Sequence, residues 1–315
     1  MDSLSHALLG IAVAGLSGDP LSFHNPIYLA AIIGAQAPDF DIIAKVRGNF
    51  ALLRQHRAFS HSIPGLVMWS SLITAGFFCF FAEAPLDKVF IWSFLGGLSH
   101  IIIDFFNAHG AAILWPISRE RKSFSLLNVF DPVLLSIMLT VFLQGLPAKE
   151  TSLLFFSSTG LYIVIRYALK LRASSWLKQY FADTTIIRIL VLPSLKSILS
   201  WDFVVETNTQ YYVGQLGILN LNIIIHSELA KQSLSPAAQG AQKTILGEFF
   251  SSFTPFSYVT EHHDNKQKAK LVHIYDLRYF LNKSFLHSAT IVFGNDEQPC
   301  DSYIKTEGRT IRIPC

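Results

Sequence analysis

The sequence predicts a mostly α-helical membrane bundle of five to six helices, followed by a small soluble α+β domain with an antiparallel sheet. Three observations lead there. Of the 315 residues 51% are hydrophobic and only 15% are charged, against about 25% charged in an average soluble domain. The charge is also uneven: residues 1–172 hold 10 of the 22 acids and 12 of the 25 bases, with long uncharged runs, and residues 173–315 hold the rest in less than half the length. Beyond residue 200, short runs rich in β-branched and aromatic residues alternate with Gly, Asn and Asp, which is a strand-and-turn pattern. The expected division is therefore a membrane-embedded domain over 1–172 and a soluble domain over 173–315.

Six apolar segments can be marked, over 4–18, 27–44, 62–82, 89–107, 130–147 and 151–171. The third is uncharged throughout and matches the roughly 20 residues that a hydrocarbon core of about 30 Å requires. The first is short, a tilted or half-inserted helix, so the count is five or six. Loop charges agree with six. Lys45, Arg47, Arg54 and Arg57 follow the second segment, Arg119, Arg121 and Lys122 follow the fourth, and Lys170 and Arg172 close the sixth, whereas the alternate loops carry only Lys88 and Lys149. With both termini inside, every basic loop lies on the cytoplasmic side. The expected location is the cytoplasmic (inner) membrane. The Met-Asp start has no basic n-region, so a cleaved signal peptide is not expected.

The net charge of +3 is too small to argue for nucleic acid. Three cysteines without CxxC spacing make no disulfide framework, which is compatible with a thiol-reducing compartment.

On this topology the polar residues of the apolar half share one depth. His6 opens the first segment, Asp39 and Asp41 close the second, His56 and His61 lead into the third, and His100, Asp104 and Asn107 end the fourth, with His109 just beyond. Asn128 and Asp131 enter the fifth. His24 falls in an opposite loop and is set aside. His100 and Asp104 stand four residues apart, which puts them on one helix face. Imidazole and carboxylate are costly in a greasy segment unless they do something.

Seven potential ligands (His6, Asp39, Asp41, His56, His61, His100 and Asp104) exceed the three protein ligands of one catalytic zinc and suggest two or three ions. Mixed nitrogen and oxygen donors suit zinc, manganese or iron better than calcium, with zinc the leading candidate. Asp39, Asp41 or Asp104 serves either as ligand or as general base. Arg57 is either a planar fork for a phosphate or a cytoplasmic anchor. Asn107 and Asp131 are read as groups that orient a ligand or water, although for Asp131, which stands before Pro132, the helix N-cap is the favoured role. Asp39 and Asp41 are alternatively caps, and His6 alternatively an interfacial residue. Ser60 and Ser62 lack a GxSxG setting for a nucleophile.

Asp2-Ser3-Leu4-Ser5-His6-Ala7, Ala37-Pro38-Asp39-Phe40-Asp41, His56-Arg57-Ala58-Phe59-Ser60-His61-Ser62 and Gly97-Leu98-Ser99-His100 through Asp104-Phe105-Phe106-Asn107 resemble, in this order, the motifs of a known family. It is the YdjM/YfhP-like family of predicted membrane-bound metal-dependent hydrolases, with its early histidine, PDxD, HRGxTHS and SHxxxD helix. The resemblance covers residues 1 to about 140. Ala58 stands where the family often has glycine, and Phe59-Ser60 replaces its small-Thr pair, so the ligand types are intact. The resemblance implies a helical fold related to the zinc-dependent phospholipase C and nuclease group, and phosphoester hydrolysis. It implies a soluble tail like that of longer members, with no role attached.

In the soluble part, 174–181 reads as an interfacial helix, and Leu192-Pro193-Ser194-Leu195 breaks the pattern. Strands are expected over 201–206, 211–217, 271–279, 289–294 and 303–313, the last folded as a hairpin about Glu307-Gly308, with one or two helices. His262-His263-Asp264 lies in the polar run 261–270 and reads as a solvated loop; Asp276 and Arg278 are an expected ion pair. A docking, regulatory or lid-like domain is the expected role.

The expected protein is an integral membrane metal-dependent hydrolase, cleaving a phosphoester (a lipid headgroup or related metabolite) with a metal-activated water at the cytoplasmic face. Its expected partners are membrane lipid and a phospholipid-like substrate. The rival reading is a metal or proton-coupled transporter, whose polar groups belong nearer the midplane and often in repeats.

Overall fold

A computed structural model describes residues 1–40, 59–81, 83–108, 110, 113, 115–118, 122–264, 269–294, 298–306 and 309–313. The chain divides into two units, Met1–Ala168 and Leu169–Cys315.

The first unit holds α1 (Ser3–Gly15), α2 (Pro26–Gln36), α3 (Ile63–Phe80), α4 (Leu86–Phe106), α5 (Pro132–Phe142) and most of α6 (Ala148–Tyr180). Side-chain caps set four of the starts. Asp2 accepts from Ser5 N, Asn25 from Ile27 N, Ser62 from Gly65 N and Asp131 from Leu134 N. Pro26 and Pro132 stand at the first helical positions, where a missing N–H costs nothing. α3, α4 and α6 are long and apolar enough to cross a membrane. α1, α2 and α5 have only 13, 11 and 11 residues, shorter than the segments expected from hydropathy. Gly18 and Gly145, both at positive φ, lie just past α1 and α5; the segment expected over 4–18 ends on the first, and the one expected over 130–147 runs through the second.

α2 and α4 approach closely. A Cβ on Gly34 would lie 2.1 Å from the Ser93 carbonyl oxygen, and one on Gly96 would lie 2.2 Å from that of Ala31. Without those two glycines the backbones could not meet. Elsewhere Leu8, Leu9, Ile103, Leu127, Leu134, Met138 and Phe155 form a buried cluster among α1, α4, α5 and α6. Buried Arg166 on α6 donates from Nε to the Leu126 carbonyl at 2.9 Å.

In the second unit, β1 (Ile186–Pro193), β2 (Ser200–Thr207), β3 (Gln210–Gly217) and β4 (Ile223–Ala230) form an antiparallel sheet in sequence order. The helices α7 (Pro236–Gln242) and α8 (Ile245–Phe253) follow. Then come β5 (Ser257–Asp264), β6 (Ala269–Asp276), the small pair β7 (Phe280–Leu281) and β8 (Ser284–Phe285), β9 (Ser288–Phe293), β10 (Pro299–Thr306) and β11 (Arg309–Ile313). The second sheet runs β11-β10-β9-β6-β5, with Thr306 opposite Arg309 as the expected hairpin requires. Val272, Ile274, Ala289 and Ile291 are buried at every second position, the alternation of a one-faced sheet.

Three expectations change here. Residues 174–180 are not a separate interfacial helix but the last turns of α6. Ala173, Leu177 and Phe181 recur every four residues and are buried with Trp201, Phe203 and Leu216 on the first sheet. β1, β4 and β5 add strands where none was expected. The polar run 261–270 is not all loop. His262 pairs with Leu271 and His263 with Lys270, in an edge strand whose polarity suits an exposed rim, and Glu261 and Lys270 form an ion pair at 2.6 Å.

Glu206 on β2 is buried, yet Lys231 and Arg188 bond it at 2.8 and 2.6 Å. Burial pushes its carboxyl upward, and the bonds from those two cations outweigh that and hold it below the ordinary value. The expected Asp276–Arg278 pair is present. Asp276 is fully buried, accepts from Arg278 Nε and Nη2 at 2.9 and 2.7 Å, and also accepts from the Thr254 hydroxyl at 2.8 Å. Asp276→Ala should lower stability by about 3 kcal/mol, because it strands a guanidinium with little exposure. Thermal melting of the purified chain checks this, and a melt within error of wild type would contradict it.

Candidate metal centre

Five side chains converge at one end of the first unit. His6 lies in the first turn of α1 and Asp39 just beyond α2. His61 ends the short 3₁₀ turn Phe59–His61 before α3, and His100 and Asp104 occupy the last two turns of α4. Alternate helices run up and down, so the starts of α1 and α3 meet the ends of α2 and α4. His6, His61, His100 and Asp104 are fully buried, and Asp39 is 28% exposed, so the cluster meets the surface at Asp39.

The donor atoms are evenly spaced. His61 Nε2 lies 3.3 Å from His100 Nε2, 3.5 Å from Asp39 Oδ1 and 3.7 Å from Asp104 Oδ2. His100 Nε2 lies 3.6 Å from Asp39 Oδ1 and 3.8 Å from Asp104 Oδ2. Ligands bound tetrahedrally at about 2.0–2.2 Å stand about 3.3–3.6 Å apart. These four groups therefore supply five edges near the size of such a tetrahedron, all from nitrogen and carboxylate oxygen.

The groups behind the donors aim them. His100 Nδ1 lies 2.7 Å from the Ala35 carbonyl oxygen, and a carbonyl only accepts, so Nδ1 carries the proton and Nε2 presents its lone pair to the cluster. Ser60 Oγ lies 2.9 Å from His61 Nδ1 and holds the orientation of that ring, as a hydroxyl that can either accept from the nitrogen or donate to it. Asn107, buried at the end of α4, donates from Nδ2 to Asp104 Oδ1 at 2.8 Å and accepts from Gly110 N at 3.1 Å. The Met1 amino group also contacts Asp104 Oδ1.

His6 stacks on His100 at 3.6 Å and 12°, with Nε2 3.5 Å from Asp104 Oδ1. Among the described residues neither ring nitrogen of His6 has a hydrogen-bond partner. A fully buried imidazole whose polar neighbour is a carboxylate at 3.5 Å is poorly satisfied, and a cation would relieve that cost. His6, Asp39 and His100 form one possible ligand trio, and His61, His100 and Asp104 another. Because Ala35 occupies His100 Nδ1, one nitrogen of His100 is left for both trios.

A family model described as "YdjM inner membrane protein" matches residues 1–173. The chain belongs to the YdjM inner membrane protein family. A second model, "YfhP C-terminal alpha/beta plait domain", matches residues 236–309, the region of α7, α8 and most of the five-stranded sheet. A curated relative described as "Uncharacterized protein YfhP", from Bacillus subtilis (strain 168), is 31% identical over 225 residues, 68% of each chain. No solved structure matches. With its three long apolar helices, this YdjM-family chain is a membrane protein.

In this YdjM-family chain His6, Asp39, His61, His100 and Asp104 are brought together, and Asn107 bonds to Asp104. Asp41, His56, Arg57 and His109 lie outside the described residues. Asp131 is placed differently from the orienting role expected of it. Pro132 fixes the start of α5, and Asp131 Oδ1 accepts from Leu134 N while the Tyr162 hydroxyl donates to the same carboxylate, 3.0 and 3.1 Å from its two oxygens. Sequence reasoning missed the Ala35 carbonyl, which leaves no trace in residue type. It weighed Ser60 only as a nucleophile, although adjacency to His61 was the available signal.

Proposed function

We propose that this YdjM-family protein is an integral membrane metal-dependent hydrolase that cleaves a phosphoester, with its site and both termini on the cytoplasmic side. The observation that carries this reading is the spacing of Asp39, His61, His100 and Asp104, whose five donor–donor distances of 3.3–3.8 Å bring together groups from three separate stretches of chain.

The residues present fit a divalent ion, zinc above all by donor type. Those four would hold it, with His6 stacked against His100 beside them. Such an ion supplies Lewis acidity and lowers the pKa of a bound water from 15.7 towards about 7. The chain's own groups do the rest. Asn107 and Ala35 fix the orientation of Asp104 and His100, the buried histidines exclude bulk water, and part-exposed Asp39 marks where a substrate enters. Donors at helix ends, in place of helix centres, support a site at headgroup depth. That favours a lipid phosphoester over cargo passing through the midplane.

The test is metal analysis of detergent-purified protein, with hydrolysis of a phosphodiester ester or a phospholipid assayed alongside. Stoichiometric metal, turnover that stops on chelation and recovery on adding the metal back support the reading. Protein that carries no metal under any loading and turns over neither substrate overturns it.

A further inference from the structure

The two ends of the four-stranded sheet differ in character. At one end β2 and β3 are joined through Asn208 and Thr209, a polar turn. At the other, the β1–β2 turn over 194–199 lies beside the β3–β4 turn over 218–222, and Ile218 N donates to the Leu199 carbonyl at 2.9 Å, which stitches the two together. Three leucines project from this pair of turns: Leu195 is 44% exposed, Leu199 57% and Leu219 76%. Lys196, also exposed, sits between the first two. Leaving three large apolar side chains this exposed at two adjoining tips forgoes hydrophobic burial unless something covers them.

The run of α6 along this sheet shows which end it is. Phe181 packs on Tyr212 with ring centroids 4.7 Å apart. Tyr212 lies near the start of β3, paired with Val205 and Glu228, at the polar end. Leu169, which packs against the same core, comes twelve residues earlier on the helix, about 18 Å back along its axis. α6 therefore enters this unit at the leucine end. Upstream on the same helix, Leu161, Val164 and Ile165 are exposed in an apolar stretch long enough to cross a membrane, and Leu171 is exposed as well. Exposed Arg172 stands just after it.

We propose that the β1–β2 and β3–β4 turns form a lipid-docking tip, in which Leu195, Leu199 and Leu219 dip into the interfacial layer of the bilayer while Lys196 and Arg172 meet anionic headgroups. Within this unit α6 begins at the same end of the sheet as the three leucines, and the flanking cations complement an anionic membrane face. The tip holds the second unit against the membrane surface, independently of any chemistry in the first.

The test uses the full chain with Cys79, Cys300 and Cys315 replaced by alanine. Leu199→Cys, Leu219→Cys or Asn208→Cys carries an environment-sensitive fluorophore, and each variant is reconstituted into vesicles of phosphatidylcholine and phosphatidylglycerol. Lipids with a nitroxide at a shallow acyl position should quench most of the emission at positions 199 and 219, with a blue shift, and leave position 208 unaffected. Leu195→Glu combined with Leu219→Glu should return a label at 199 to the unquenched, red-shifted state. Equal, weak quenching at all three positions would overturn the proposal. So would a blue shift at 199 and 219 that needs no quenching lipid contact and follows protein density, since a second copy would then cover the leucines.

Discussion

Asp104→Asn is expected to abolish the proposed metal binding and the proposed hydrolysis together. The change keeps the shape of the side chain and its place in the last turn of α4. It replaces with a neutral amide the carboxylate whose Oδ2 faces both His61 and His100 and whose Oδ1 receives the Asn107 amide. A ligand lost outright should weaken metal binding by more than about a hundredfold, because removal of an outer partner alone typically costs about 10–100-fold. Asn107→Ala supplies that milder case: it leaves all five converging side chains in place and frees Asp104 to rotate. The expected order of affinity is wild type, then Asn107→Ala, then Asp104→Asn, read by competition with a chelating dye on detergent-purified protein. Circular dichroism on the same samples separates loss of metal from loss of fold. Wild-type affinity in Asp104→Asn would take that residue out of the centre.

The ordering of those two residues was legible in the sequence for a simple reason. His100, Asp104 and Asn107 fall on one helix at intervals of four and three, and that spacing alone places them together. The meeting of His6, Asp39 and His61 with them was legible at one remove. Basic loops set which helix ends share a side, and every candidate fell on that side. Other parts lay beyond any reading of residue types. The partner of His100 Nδ1 is a backbone carbonyl, and any residue at position 35 would carry one. Asp131 carried two readings, of which the favoured N-cap is the one realised through Leu134 N; its second partner, Tyr162 on α6, was not legible. Strand β5 was hidden because edge position, not burial, holds it in the sheet, so its polar residues never alternate with apolar ones. The length of α5 was overestimated because hydropathy averages across Gly145, where the chain turns, and the expected first segment ran on to Gly18, three residues past the end of α1.

Gly34→Ala should damage stability and metal binding through packing alone, with no donor touched. The added methyl would sit 2.1 Å from the Ser93 carbonyl oxygen and 2.7 Å from its Cα. Both atoms are backbone in the middle of α4, so no side chain can swing aside and the helices must separate. Overpacking of this kind costs about 1–3 kcal/mol, and a rigid backbone neighbour puts the expected value at the upper end. The displacement also reaches the centre. Ala35, next in sequence, holds His100 Nδ1 at 2.7 Å, and Asp39 follows on the same stretch of chain, so moving α2 off α4 stretches the bond that aims His100 and carries Asp39 away from it. Metal affinity should fall at least about tenfold, in the range of a lost orienting partner. Gly76→Ala is the matched control. Gly76 lies within α3, and a Cβ there meets nothing within 4 Å. The same substitution should leave affinity unchanged and Tm unchanged or higher, since alanine is the better helix former by about 1 kcal/mol. If Gly34→Ala and Gly76→Ala melt together and hold metal equally, the close crossing of α2 and α4 does not position the site.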